Sequence, residues 1–135
     1  LKNVQHQLFN LGSYFACEDA VVAEKFKIAG VNNKDIEVLE QKMDEMDQQL
    51  MPLKNFVLPG GDKASAYSHI CRTVCRRSER ALTHLYEAEK MPLDNKNEQL
   101  IYINRLSDYF FVLSRWINFK QNIAEVLWVH SPVKS

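Results

Sequence analysis

Between Gln99 and about Phe119 the chain is apolar almost all the way round a helical projection, with Leu100, Ile103, Leu106, Tyr109, Phe110 and Leu113 leaving little polar surface. A helix of that kind has no broad face to give to water and must be enclosed by other elements. The chain has 135 residues, close to the usual size of one domain and long enough to build such an enclosure without disulfides or structural metal.

The other elements are also helical. Leu1, Val4, Leu8, Leu11 and Phe15 recur at helical spacing, and the pattern lapses from Glu18 to Asn33. A second helix is expected to open near Asn33, with Asp35 and Glu37 in its first turn where carboxylates suit the helix dipole. Its seam is Ile36, Leu39, Met43, Met46, Leu50 and Leu53. Pro52 and the run Pro59-Gly60-Gly61 bracket a non-helical connection from Leu53 to Asp62.

A third helix is expected from Lys63 to about Lys90, with Tyr67, Ile70, Val74, Ala81, Leu82 and Leu85 as its apolar side. After a polar stretch from Met91 to Glu98 comes the apolar helix, and the tail from Gln121 is expected to add a short last helix before Pro132. No stretch reads as a strand. Residues 1–135 are therefore expected to form a single all-α domain, an antiparallel helix bundle.

Seventeen Lys and Arg balance seventeen Asp and Glu, so the overall charge gives no reason to expect nucleic acid as a partner. No apolar run reaches the roughly 18 residues of a membrane span, and a cytoplasmic location is expected. Cys17, Cys71 and Cys75 are an odd set without CxxC spacing, which fits reduced thiols. Cys71 and Cys75, one turn apart near the apolar edge of the third helix, read as core filler.

Two stripes of polar residues bear on function. On the third helix Ser65, His69, Arg72, Arg76 and Glu79 share one side, flanked by Arg77 and Arg80. That side is either a solvated face carrying one-turn charge pairs or an anion site, since four arginines in nine residues without a lysine supply planar forks suited to phosphate. On the apolar helix Asn104, Asp108 and Arg115 fall in line beside Arg105. Buried polar groups need partners, so an internal charge network and a ligand site are both open. Arg80 or Arg105 is expected to pair with Asp108 or Glu79. Phe56, in the loop that Pro59-Gly60-Gly61 stiffens, either caps the core or faces a ligand.

These segments together carry a resemblance. The run Phe56-Val57-Leu58-Pro59-Gly60-Gly61, the block from His69 through Arg72, Thr73, Val74, Cys75, Arg76, Arg77, Ser78 and Glu79 to Arg80, and the block from Tyr102 to Phe111 occur in order and at compatible spacing. With the opening stretch Val4 to Gly12, they closely resemble the signature blocks of the PduO-type ATP:cob(I)alamin adenosyltransferase family. The resemblance implies a five-helix bundle that assembles as a homotrimer with active sites between subunits. ATP, Mg²⁺ and cobalamin would be its ligands.

By the same resemblance Arg76 would bind the ATP phosphates, Glu79 would complete the nucleotide site, and Asn104 would help hold the nucleotide and its Mg²⁺. Arg72 would pair with an acidic residue of the N-terminal loop. Phe56 would press on the lower corrin face, exclude the axial base and leave cobalt four-coordinate. Arg72, Arg76 and Phe56 are thus the expected catalytic set. The family's N-terminal segment with Gly, Thr and Lys, which wraps the triphosphate, is not among these residues, and Leu1 reads as helix interior. The chain is accordingly expected to begin partway through a larger protein. An expectation from another class is a non-catalytic helical module that offers the arginine stripe to an anionic partner.

Overall fold

The computed structural model describes residues 1–17, 30–88 and 98–131. Among these, four helices stand in the order α1 Lys2–Ala16, α2 Asn33–Asp47, α3 Lys63–Ala88 and α4 Glu98–Lys120. The resemblance implies five. The polar stretch from Met91 and most of the loop from Glu18 lie outside the described residues.

α2 starts where the sequence puts it, for a local reason. The Asn32 side chain accepts from Lys34 N at 2.9 Å and Asp35 N at 3.2 Å, while Asp35 returns a carboxylate oxygen to Asn32 N at 2.9 Å. This reciprocal box satisfies backbone donors that the first turn leaves over. Ile36, Leu39, Met43 and Met46 are buried as expected, but the helix stops at Asp47, so Leu53 lies past its end and exposed. α3 is opened by Asp62, whose carboxylate accepts from Ala64 N at 2.8 Å.

α4 is the axis of the bundle. Tyr102, Ile103, Leu106, Tyr109 and Phe110 are buried, and α2 and α3 pack on it from two sides. Ser65 meets Ser114 while Glu79 meets Asn104, so α3 and α4 run antiparallel. Val31 meets Gln99 and Glu40 meets Arg105, so α2 runs parallel to α4. α1 joins them through Val4 and Leu11 in the core, and Phe15 meets Tyr86 of α3 edge-on at 5.9 Å.

Two expectations are corrected here. α3 does not bury its apolar side: Tyr67, Ile70, Val74 and Leu85 are exposed, as are Ala81 and Cys71, whereas Ser65, Ser68, His69, Cys75 and Tyr86 are buried. Small residues explain the inversion, because Ser65 and Ser114, both fully buried, let the two backbones approach, and the Ser65 hydroxyl is satisfied by the Ser114 carbonyl at 2.9 Å.

The tail is not helical either. Asn122 takes a left-handed φ of 56°, Asn122 N donates to Phe119 O at 3.1 Å, and Ile123 N donates to Asn118 O at 2.9 Å. That pair of bonds is a Schellman stop. Beyond it the chain is extended and forms an antiparallel bridge between Leu127 and Val57.

Candidate functional site

Part of the α3 polar stripe meets α4 directly. Asn104 Nδ2 lies 3.2 and 3.4 Å from the two carboxylate oxygens of Glu79. Arg76, one turn earlier on α3, is exposed and has no carboxylate partner among the described residues. Its five donors are open to a ligand beside an acceptor pair, an arrangement suited to an anion carrying a cation. One turn further back the Arg72 guanidinium lies over the Phe111 ring at 5.0 Å. No carboxylate among the described residues reaches it.

His69 sits beneath this edge, with its ring 6.4 Å from that of Phe111. Burial, and then the charge of Arg72, hold its imidazole below the ordinary value. It is buried, so it sits under the stripe and not on its exposed surface.

Phe56 lies elsewhere on the molecule. Its side chain is 74% exposed, which removes the core-cap alternative. The backbone around it is nevertheless fixed. Asn55 Oδ1 accepts from Phe56 N at 2.8 Å, Trp128 N donates to Phe56 O at 2.7 Å, and Asn55 Nδ2 donates to Trp128 O at 2.7 Å. The Phe56 and Trp128 rings meet edge-on at 6.1 Å. After the loop, Asn118 donates to Gly60 O at 3.1 Å and accepts from Asp62 N at 2.9 Å. Gly61 has φ 91°, and a Cβ there would lie 2.5 Å from Asn118 Oδ1, so both the dihedral and the space call for glycine.

Asn104, Asp108 and Arg115 share a stripe on α4 but not an environment. Asn104 and Asp108 are exposed, and Arg105 pairs with Asp108 at 3.1 Å and with Glu40 at 3.5 Å, as the expected charge network requires. Arg115 is buried because the tail covers that end of α4; its Nε meets Glu125 at 2.5 Å and its Nη2 meets Met51 O at 2.8 Å. Sequence reading missed Glu125, Asn118 and Trp128. An aromatic residue in an otherwise exposed tail was the available signal for Trp128.

Among the described residues no group of three or more His, Cys, Asp or Glu could hold a metal ion. The Glu79 carboxylate supplies the oxygen donors that Mg²⁺ favours when phosphates and water provide the rest, while the group of Asn104 turned to it is the amide nitrogen. The two candidate regions are well separated. The Phe56 loop is pinned to α4 at Arg115 and Asn118, 11 and 14 residues beyond Asn104, or roughly 16 to 21 Å along the helix.

Comparison with known proteins adds four findings. The family model described as cobalamin adenosyltransferase matches residues 1–117. The chain is 35% identical over 133 residues to the corrinoid adenosyltransferase of Bacillus subtilis, covering 98% of this chain and 64% of that protein. It is 38% identical over 128 residues to the cobalamin adenosyltransferase of Cupriavidus metallidurans, covering 95% and 63%. It therefore spans a little under two thirds of these relatives. Among solved structures, a phenylalanine-to-alanine variant of the PduO-type ATP:corrinoid adenosyltransferase from Lactobacillus reuteri, complexed with cobalamin and ATP, superposes with a TM-score of 0.81 at 31% identity over 96% of this chain and 68% of that one.

Proposed function

The chain belongs to the cobalamin adenosyltransferase family, and from that premise we propose that it transfers the 5′-deoxyadenosyl group of ATP to the cobalt of cob(I)alamin, giving adenosylcobalamin and triphosphate. The observation that carries the reading is the exposed Phe56 ring on a backbone held from both sides. An exposed aromatic has little reason to be so fixed unless its height matters to a flat partner.

In the reaction the Co(I) electron pair forms the bond to C5′ while the C5′–O bond breaks and its electrons leave with triphosphate. No protein nucleophile is needed, so the residues orient and neutralise. Arg76 grips the phosphates with its fork. Glu79 and Asn104 hold the nucleotide and its Mg²⁺, which supplies charge neutralisation on the phosphates when bound. Arg72 orders the N-terminal loop through an acidic residue of that loop. Phe56 lies against the lower corrin face and denies the axial base its place, which makes Co(II) easier to reduce.

We assign the protein to a cytoplasmic homotrimer with its active sites between subunits. Two observations support this. The apolar side of α3, with Tyr67, Ile70 and Val74, is exposed in the single chain, and surfaces of that kind mark interaction sites. The separation of Phe56 from the Glu79 and Asn104 pair also suits a site to which one subunit brings the aromatic ring and its neighbour the phosphate ligands. Among the described residues no helix is long and apolar enough to cross a membrane.

The direct test is to mix the full-length protein with ATP, Mg²⁺ and chemically reduced cob(I)alamin and follow the formation of adenosylcobalamin by absorbance. Stoichiometric triphosphate release supports the reading, and absence of both products would sink it.

A further inference from the structure

The groups that fix Phe56 are themselves fixed by a pair some distance away. Arg115 is buried to 6% exposure and Glu125 to 27%, and they meet at 2.5 Å. The same guanidinium donates to Met51 O at 2.8 Å. It thereby ties the end of α4, the chain leaving α2 and the extended tail into one knot. From Glu125 the tail runs straight to the loop: Val126 O accepts from Leu58 N at 2.8 Å, and Trp128 N donates to Phe56 O at 2.7 Å. Only two residues separate Glu125 from Trp128, on whose indole Phe56 leans.

We propose that Arg115 and Glu125 are positioning residues for Phe56, with Trp128 as the buttress through which they act. This rests on the assignment of Phe56 to the corrin. A buried guanidinium holds its carboxylate firmly, because either charge left alone there is strongly unfavourable, so the tail has one register. The tail's backbone bonds then set the register of residues 56–58, and the indole limits how far the Phe56 ring can tilt. A ring exposed to 74% has few other neighbours to hold it. The pair therefore determines whether a free-standing aromatic meets a ligand in a single orientation.

The test uses the full-length protein and three variants. Glu125→Gln keeps the size of the side chain and removes its charge. Trp128→Ala removes only the buttress, a residue 41% exposed, and leaves the buried pair intact. Phe56→Ala is the reference for the assignment on which the inference rests. Three quantities are read: amide hydrogen exchange at Leu58 and Trp128 without ligand, ATP affinity, and the yield of four-coordinate Co(II) from cob(II)alamin with ATP present.

We expect Glu125→Gln to speed exchange at both amides at least tenfold while α3 and α4 keep their protection. ATP affinity should stay within twofold, and the four-coordinate yield should fall at least fivefold. Trp128→Ala should lower the yield by a similar factor with ATP affinity unchanged. If the amides open in Glu125→Gln but the yield holds, the inference is overturned; the same is true if the amides do not open. If Glu125→Gln does not fold, Trp128→Ala decides, and an undiminished yield there overturns the proposal. A full yield in Phe56→Ala would instead remove the corrin assignment itself, whatever the tail variants do.

Discussion

Asn104 on α4 donates its amide to the Glu79 carboxylate on α3 at 3.2 Å. With the amide nitrogen turned to Glu79, the carbonyl oxygen of Asn104 remains for another partner. The hydrogen bond orients both side chains before any ligand arrives, which reduces the ordering that binding must bring about.

Arg76 is the exposed cation beside that pair. Arg76→Lys keeps the charge and loses the planar fork, and should weaken stabilisation of the departing triphosphate by about 2 kcal/mol, roughly a 30-fold loss in kcat/KM for ATP. Steady-state kinetics on the full-length protein check this. An unchanged value would take Arg76 out of the site.

Phe56→Ala opens no core cavity, since the ring is 74% exposed. Thermal unfolding should show a loss of less than about 1 kcal/mol, as is usual for a surface truncation. Four-coordinate Co(II) should disappear while ATP still binds. A loss of about 3 kcal/mol or more, the cost of a buried phenylalanine, would return Phe56 to the core.

His69 gives the fold a pH dependence. Its imidazole is held below the ordinary 6.5 by burial first and by Arg72 second, so the unfolded chain takes up the proton before the folded one. Its contribution to stability is therefore full above that value and is lost as pH falls through it toward the lower folded value. Thermal midpoints should drop between pH 7.5 and 5.5, and His69→Gln should reduce the drop. Equal slopes for the two proteins would contradict this.

Ile70 lies on the exposed apolar side of α3 at 58% exposure. Ile70→Asp puts a charge where we place a subunit contact and should turn the trimer into a monomer of normal helicity. Sedimentation measures the mass, and a trimer that survives the change moves the interface elsewhere.

The helices were legible in the sequence wherever apolar spacing and capping agreed, as at α2, where Asn32 and Asp35 fix the start. The packing face of α3 was not. Periodicity ranks positions by hydrophobicity, but Ser65 and Ser114 pack through smallness and a hydrogen bond, so the exposed Ile70 and Val74 looked like core. The resemblance marked Glu79 and Asn104 as members of one site, and they touch. Arg115 shares the α4 stripe of Asn104 yet serves the tail, because Glu125 and Met51 cover α4 at that height. The tail itself was misread since nothing in its composition announces the left-handed Asn122 that ends α4.

The bonds between Phe56 and Trp128, and between Asn55 and Trp128, close a loop of 72 and 73 residues. Contacts of such long sequence separation form late, because the chain entropy of closure is spent before any bond offsets it. During synthesis the loop that carries Phe56 leaves the ribosome well before its partner strand exists. α2 and α3 can dock on α4 once that helix has emerged, but the aromatic surface waits for residues 125–128. The order of events along the chain thus makes the exposed Phe56 ring one of the last parts to be set. A protein halted before Glu125 would hold most of its helices and lack a placed Phe56.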